Sequence, residues 1–114
     1  MHRVEEKTDE LIEAIQESSE YIQYHRAYSE LKKNKELFKR LNTFRRRRFE
    51  IEMAEREHSE ASQKRLADEF GEVLAHPLAA QFLSAEYTYL RLVRQTTYRM
   101  NDGLGLDIDF LEEA

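Results

Sequence analysis

KELFKRLNTFRRRRFEIEMAERE, Lys35 to Glu57, runs for 23 residues without a glycine or a proline. Within it Leu37, Leu41, Phe44, Arg48 and Ile51 recur at alternating steps of four and three. That spacing keeps side chains on one side of a helix packed lengthwise against another helix. Arg48 interrupts the apolar seam, so a long uninterrupted coiled coil is disfavoured. The stretch predicts one helix over about 35–57, and the rest of the chain has to supply what covers its seam.

Upstream, Asn34 is placed to cap this helix. Tyr21, Tyr24, Tyr28 and Leu31, with Ala27 beside them, give a second helix over about 19–33, and Ser18 suits its N-cap with Glu20 in the first turn. Before the Ser18-Ser19 break, Val4, Leu11, Ile12 and Ile15 form the stripe of a first helix over about 4–17. Glu5, Glu6, Asp9 and Glu10 crowd its start, where the helix dipole favours negative charge.

Downstream, His58-Ser-Glu-Ala-Ser62 reads as a connection, with Ser59 or Ser62 as the next cap. A helix over about 62–75 carries Leu66, Phe70, Val73 and Leu74 on one face. His76-Pro77 ends it, because a residue before proline avoids the helical region, and Pro77 suits the first position of another helix. That last helix, about 77–101, carries Leu78, Phe82, Ala85, Tyr89, Leu92, Val93 and Met100, and Asn101-Asp102-Gly103 reads as its stop. The domain is expected to span 1–102, with 103–114 an acidic C-terminal tail.

Composition supports the all-helical reading. Three glycines and one proline in 114 residues cannot furnish the turns that a β-rich fold needs every 8–12 residues or so. At 40% hydrophobic and 36% charged, the chain is too apolar for simple disorder yet polar for a closed monomer, which points to association. The absence of cysteine excludes disulfides, thiolate metal sites, iron–sulfur ligation and cysteine catalysis. The polar, acidic start is unlike a signal peptide, and no run approaches membrane-spanning length. The cytoplasm is the expected location.

Charge is blocked along the chain: residues 3–30 carry −5, 31–48 carry +8, 49–72 carry −5, 73–101 carry +2 and 102–114 carry −5. Such alternation suits antiparallel helices laying basic against acidic stretches, within a chain or between chains. The run Arg45-Arg46-Arg47-Arg48 invites a nucleic-acid reading, widened by Lys39 and Arg40. Four consecutive helical residues, however, point about 100° apart and do not make one stripe, and the overall charge of −5 opposes attraction to phosphate. Charge pairing or solvation is the preferred account of the run, with a partner or RNA patch as the alternative.

Chemistry-bearing patterns are sparse. Glu55-Arg56-Glu57-His58 holds one E-x-x-H, whereas di-iron bundles need two plus further carboxylates. Glu72 and His76 lack an evident third ligand, and no phosphate-cradling loop or nucleophile elbow occurs. No enzyme activity, metal or cofactor is expected. The six tyrosines suit partly buried helix interfaces better than base stacking, since no sheet or glycine-rich loop presents them.

Two stretches resemble a known family. One is Leu11-Ile-Glu-Ala-Ile-Gln-Glu-Ser-Ser-Glu-Tyr21 with Tyr24, Ala27, Leu31, Asn34-Lys-Glu-Leu37 and Phe44; the other is His76-Pro77-Leu78 with Phe82-Leu83-Ser84-Ala85-Glu86 and the ladder to Met100. Together, over roughly 8–101, they are similar to the YlbF/YmcA family of small bacterial helical proteins. The resemblance implies a helical bundle with a long central hairpin, usually oligomeric and without known enzymatic activity. It also implies a regulatory accessory role: some relatives work with ribonuclease Y in messenger-RNA maturation and affect competence, sporulation and biofilm formation. Two features depart from the family: His76 stands where Asn is frequent, and the cysteines that characterised complex members use for an iron–sulfur cluster are absent, so cluster binding does not carry over.

The expected architecture is therefore an oligomeric all-α bundle of about five helices with a long central hairpin. Leu37, Leu41, Phe44 and Ile51, facing Leu66, Phe70, Phe82, Tyr89 and Leu92, are expected to form the core and the self-association surface. The function expected is a regulatory adaptor, homo-oligomeric, with a protein partner in an RNA-processing complex; an RNA-binding helper using helix 39–48 and a purely structural oligomer are the alternatives.

Overall fold

The structure, a computed structural model, describes residues 2–54 and 60–106. Among these the chain forms six helices and no strand: α1 (His2–Gln16), α2 (Ser19–Lys32), α3 (Lys35–Met53), α4 (Glu60–Glu69), α5 (Gly71–Ala75) and α6 (Pro77–Leu104).

The helix starts follow local chemistry. Ser18 Oγ accepts the Tyr21 N–H at 3.2 Å and Asn34 Oδ1 accepts the Leu37 N–H at 3.1 Å, each satisfying a donor that a helix start leaves open. Pro77 opens α6, and the preceding His76 is extended (φ −67°, ψ 130°) with Nδ1 accepting the Leu78 N–H at 3.2 Å.

Several boundaries differ from expectation. The helix expected over 62–75 is two, broken at Phe70 (φ −105°, ψ 22°); Leu66, Phe70 and Val73, on both sides of the break, are buried. The first of these helices starts at Glu60, which puts Ser62 inside it and not at its cap; Ser59 lies outside the described residues. The last helix passes through Asn101-Asp102-Gly103, three good turn residues, and ends at Leu104, three residues past its expected end at about 101. Its stop is Gly105, at φ 69°, a left-handed conformation that costs glycine little. There the Gly105 N–H reaches Asp102 O at 3.1 Å and the Leu106 N–H reaches Asn101 O at 3.2 Å, the paired bonds of a Schellman close. The third helix is described as far as Met53 and is capped at Ala54. Residues 55–57 of its expected range, with the E-x-x-H pattern at 55–58, lie outside the described residues.

Two antiparallel pairings organise the chain. In the first, α2 lies along α6: Tyr21 meets Tyr89 at 5.6 Å between ring centroids, Tyr24 meets both Tyr89 (5.0 Å) and Phe82 (5.5 Å), and Tyr28 meets Phe82 (5.8 Å). Residue numbers rise on one helix as they fall on the other. In the second, α3 lies against α4 and its end: Phe44 meets Phe70 at 5.6 Å, while Arg47 bonds Glu69 at 2.6 Å.

The core is Leu31, Leu37, Leu41, Phe44, Leu66, Phe70, Val73, Ala79 and Phe82. It lies around the first ten residues of α6. In α6 only Ala79, Phe82 and Glu86 are buried, and in α1 nothing is. The molecule is correspondingly flat, 48 × 39 × 18 Å with a radius of gyration of 17.8 Å, against about 13 Å for a compact chain of this length. Phe82, fully buried, joins both pairings. Phe82→Ala is expected to cost about 3–5 kcal/mol, read as a lower urea midpoint in a circular-dichroism melt.

Candidate protein-interaction surface

The four consecutive arginines are fanned around α3, and the structure assigns them different tasks. Arg45 forms an ion pair with Glu86, which is 9% exposed, and its guanidinium also lies 5.0 Å over the Phe82 ring. Arg47 pairs with Glu69 of α4 and lies 5.4 Å from the Phe70 ring. Arg48 lies 5.3 Å over Phe44. Cation–ring contacts of this kind contribute roughly 0.5–2 kcal/mol, most where water is excluded. Arg46 is exposed and has no ion-pair partner among the described residues. Charge pairing thus accounts for Arg45 and Arg47, and ring contact for Arg48.

Glu86 is the residue that sequence reasoning missed. It is the one acidic residue in a segment read as net positive. The signal was its position: Ala79, Phe82, Glu86 and Tyr89 follow steps of three and four, which puts a carboxylate in the apolar stripe of α6. A carboxylate in such a place needs a cation beside it, and Arg45 supplies it. Arg45 in turn donates to Asn42 Oδ1 at 3.1 Å. Burial, then the nearby Glu86 charge, raises the Tyr24 phenol above its ordinary value, so this ring stays neutral within the seam.

Of the residues expected in the core and at a subunit interface, Leu37, Leu41, Phe44 and Phe82 are buried within the single chain, while Ile51, Tyr89 and Leu92 are half-buried. The first four therefore spend their apolar surface inside the fold. Tyr21, Tyr24, Tyr28 and Tyr89 line the α2–α6 seam, whereas Tyr87 and Tyr98 are exposed. Of the Glu72–His76 pair, His76 is engaged at the start of α6. Among the described residues no three His, Asp or Glu side chains converge, and no helix is long and apolar enough to cross a membrane.

What the core leaves outside is a face shared by the second half of α3 and the middle of α6. Phe49 (61% exposed), Met53 (65%), Tyr87 (62%) and Leu90 (43%) stand on it. Arg46, Arg48 and Arg94 rim two adjoining shallow depressions there, with Glu52 and Glu86 between them. Aromatic residues, methionine and arginine are the types enriched at protein–protein contacts, and a contiguous exposed apolar patch marks such a site.

Two expectations follow. Arg45→Ala leaves Glu86 buried without its counter-ion and is expected to cost on the order of 1–3 kcal/mol, whereas Arg46→Ala stays within about 0.5 kcal/mol of the parent; urea denaturation of the two variants reads the difference. In a spectrophotometric phenolate titration, Tyr24→Phe is expected to remove a component that ionises above the ordinary phenol range. Since the folded phenol is raised, Tyr24 stabilises the fold less as pH climbs past that ordinary value.

A family model described as "Control of competence regulator ComK, YlbF/YmcA" covers residues 4–104. Searches of curated proteins and of solved structures found no match. The matched span includes α1 to α6 except for the first two residues of α1, so the chain belongs to the YlbF/YmcA family, whose description gives it a regulatory role in the control of competence.

Proposed function

We propose that this chain is a non-enzymatic regulatory adaptor that works in the cytoplasm through protein–protein contacts, as a homo-oligomer joined to a larger partner. The observation that carries the reading is the α3–α6 face, where Phe49, Met53, Tyr87 and Leu90 stand exposed between arginines. A contiguous patch of large exposed apolar side chains rimmed by charge is the kind of surface that a partner covers. Family membership supplies the regulatory context. The partner proposed is an accessory or catalytic component of an RNA-processing complex of the ribonuclease Y type. Arg45–Arg48 contribute through Arg46 and the outer edges of Arg47 and Arg48, as the polar rim of a protein contact.

The adaptor needs no cofactor in this reading. Its contribution is shape: a rigid pair of helices that presents apolar anchors at fixed spacing, so little conformational entropy is lost on binding.

The test is a tagged capture from native lysate, with and without nuclease treatment, comparing the parent chain with Phe49→Ala/Leu90→Ala. An RNA-processing ribonuclease or its accessory protein should survive nuclease treatment with the parent and be depleted at least tenfold with the variant. If all captured proteins disappear with the RNA, the arginines act on nucleic acid and the adaptor reading fails. Equal capture by both chains would remove the α3–α6 face from the account.

A further inference from the structure

The close of α6 turns the chain back along the helix. There the Leu106 N–H bonds Asn101 O at 3.2 Å, so the backbone leaves over the side of the helix on which Asn101 lies. At 100° per residue, Leu83, Leu90, Arg94 and Asn101 fall within about 20° of one line along α6. Leu83, Leu90 and Arg94 line the depression that α6 shares with Arg48 and Glu52 of α3. The exit from α6 and the exposed α3–α6 face are therefore on the same side of the helix.

Residues 107–114, beyond the described part of the chain, read DIDFLEEA. Asp107, Asp109, Glu112 and Glu113 give them a charge of −4 with no basic residue, and Ile108, Phe110 and Leu111 are large and apolar. The face is their counterpart. Phe49, Met53, Tyr87 and Leu90 stand exposed on it, among Arg46, Arg48 and Arg94. Arg46 and Arg94 have no ion-pair partner among the described residues. Glu86 is neutralised by Arg45, which leaves Glu52 as the opposing carboxylate. Acid interleaved with apolar anchors thus matches apolar hollows rimmed by arginine.

The reach fits as well. At roughly 3.4 Å per residue, Asp109, Leu111 and Glu113 extend about 10, 17 and 24 Å from Leu106. On α6, Arg94, Leu90 and Tyr87 lie about 10, 16 and 21 Å back from Asn101. Alternate residues of an extended chain share one side, so these three can meet the helix together. A tether this short sets an effective concentration on the order of mM, enough to populate a contact too weak to form between separate molecules.

We propose that residues 107–114 fold back along α6 and lie on the α3–α6 face, with Asp109 at Arg94, Leu111 at Leu90 and Glu113 at Arg48. The segment is an intramolecular ligand that a partner has to displace, and the partner segment replacing it carries the same alternation of acidic and large apolar side chains. Displacement rests on the partner-binding reading above; the contact itself does not.

The chain has no cysteine, so a nitroxide on Ala114→Cys reports the position of the segment through relaxation enhancement in amide NMR spectra. The signals of Phe49, Met53, Tyr87 and Leu90 are expected to lose intensity, while those of Met100 to Leu104 keep theirs. Phe110→Ser/Leu111→Ser restores the lost signals, and so does Arg46→Glu/Arg94→Glu on the other side of the contact. All four side chains lie outside the core, so circular dichroism should stay that of the parent. Retention of every signal, or loss confined to Met100–Leu104, overturns the proposal. Equal loss when isotope-labelled parent is mixed with unlabelled nitroxide-bearing chain assigns the contact to a second copy and overturns the fold-back as well. In the lysate capture, Phe110→Ser/Leu111→Ser is expected to retain several-fold more partner than the parent. Equal capture by the two, with the contact present in the spectra, overturns displacement. The contact present with no partner captured by either chain overturns the adaptor reading alone. The contact absent, with partner depleted by Phe49→Ala/Leu90→Ala, overturns the fold-back and leaves that reading intact.

Discussion

Phe82 and the groups against it hold the architecture together. The ring is completely buried, with Tyr24 and Tyr28 of α2 on one side and the Arg45 guanidinium of α3 on another. Three helices therefore meet at one side chain. The arginine is held there by Glu86, one turn further along the same helix as Phe82. A cation packed on an aromatic face and locked by a carboxylate is directional in a way that aliphatic packing is not. It fixes the rotation of α3 about its own axis, and with it which residues of the basic run turn inward.

That constraint explains why four identical residues in a row behave differently. With Arg45 turned toward α6, the 100° step per residue sends Arg46 to solvent, Arg47 toward α4 and Arg48 back across Phe44. The contact also sets the limit of the core. Glu86 is the last buried residue of α6; past it Tyr89 still rests on Tyr21 and Tyr24 of α2, and beyond that the helix has α1 near it on one side and exposed side chains on the other. The exposed face is a consequence of where the core stops.

Much of this was legible in the residues. Ser18, Asn34 and His76-Pro77 marked helix starts because capping is local chemistry, readable without knowing the fold. The seam of α3 was readable because Leu37, Leu41 and Phe44 recur at a spacing only a packed helix requires. What was not legible depended on contacts distant in sequence. Gly103 and Gly105 are equally capable of a left-handed turn, and the choice between them at the end of α6 cannot be read from either residue alone. The break at Phe70 was hidden because Leu66, Phe70 and Val73 keep the four-and-three spacing of a single helix. The Arg45–Glu86 pair spans 41 residues, and block charges summed along the chain hid it. The outer face was the least legible part: Phe49, Met53, Tyr87 and Leu90 look like ordinary core residues until the fold leaves them outside.

α6 is a single unbroken helix, about 42 Å long from Pro77 to Leu104. Roughly its first third is clamped in the core, while the remainder projects as a stiff rod. Such an element behaves as a lever. A tilt of about 5° at the clamped end displaces the far tip by ~2 Å, since the free segment is about 27 Å long. Small adjustments around Phe82, too slight to disturb packing there, are thereby enlarged at the opposite end of the molecule, and a load applied at the tip is returned to the aromatic junction with the same leverage.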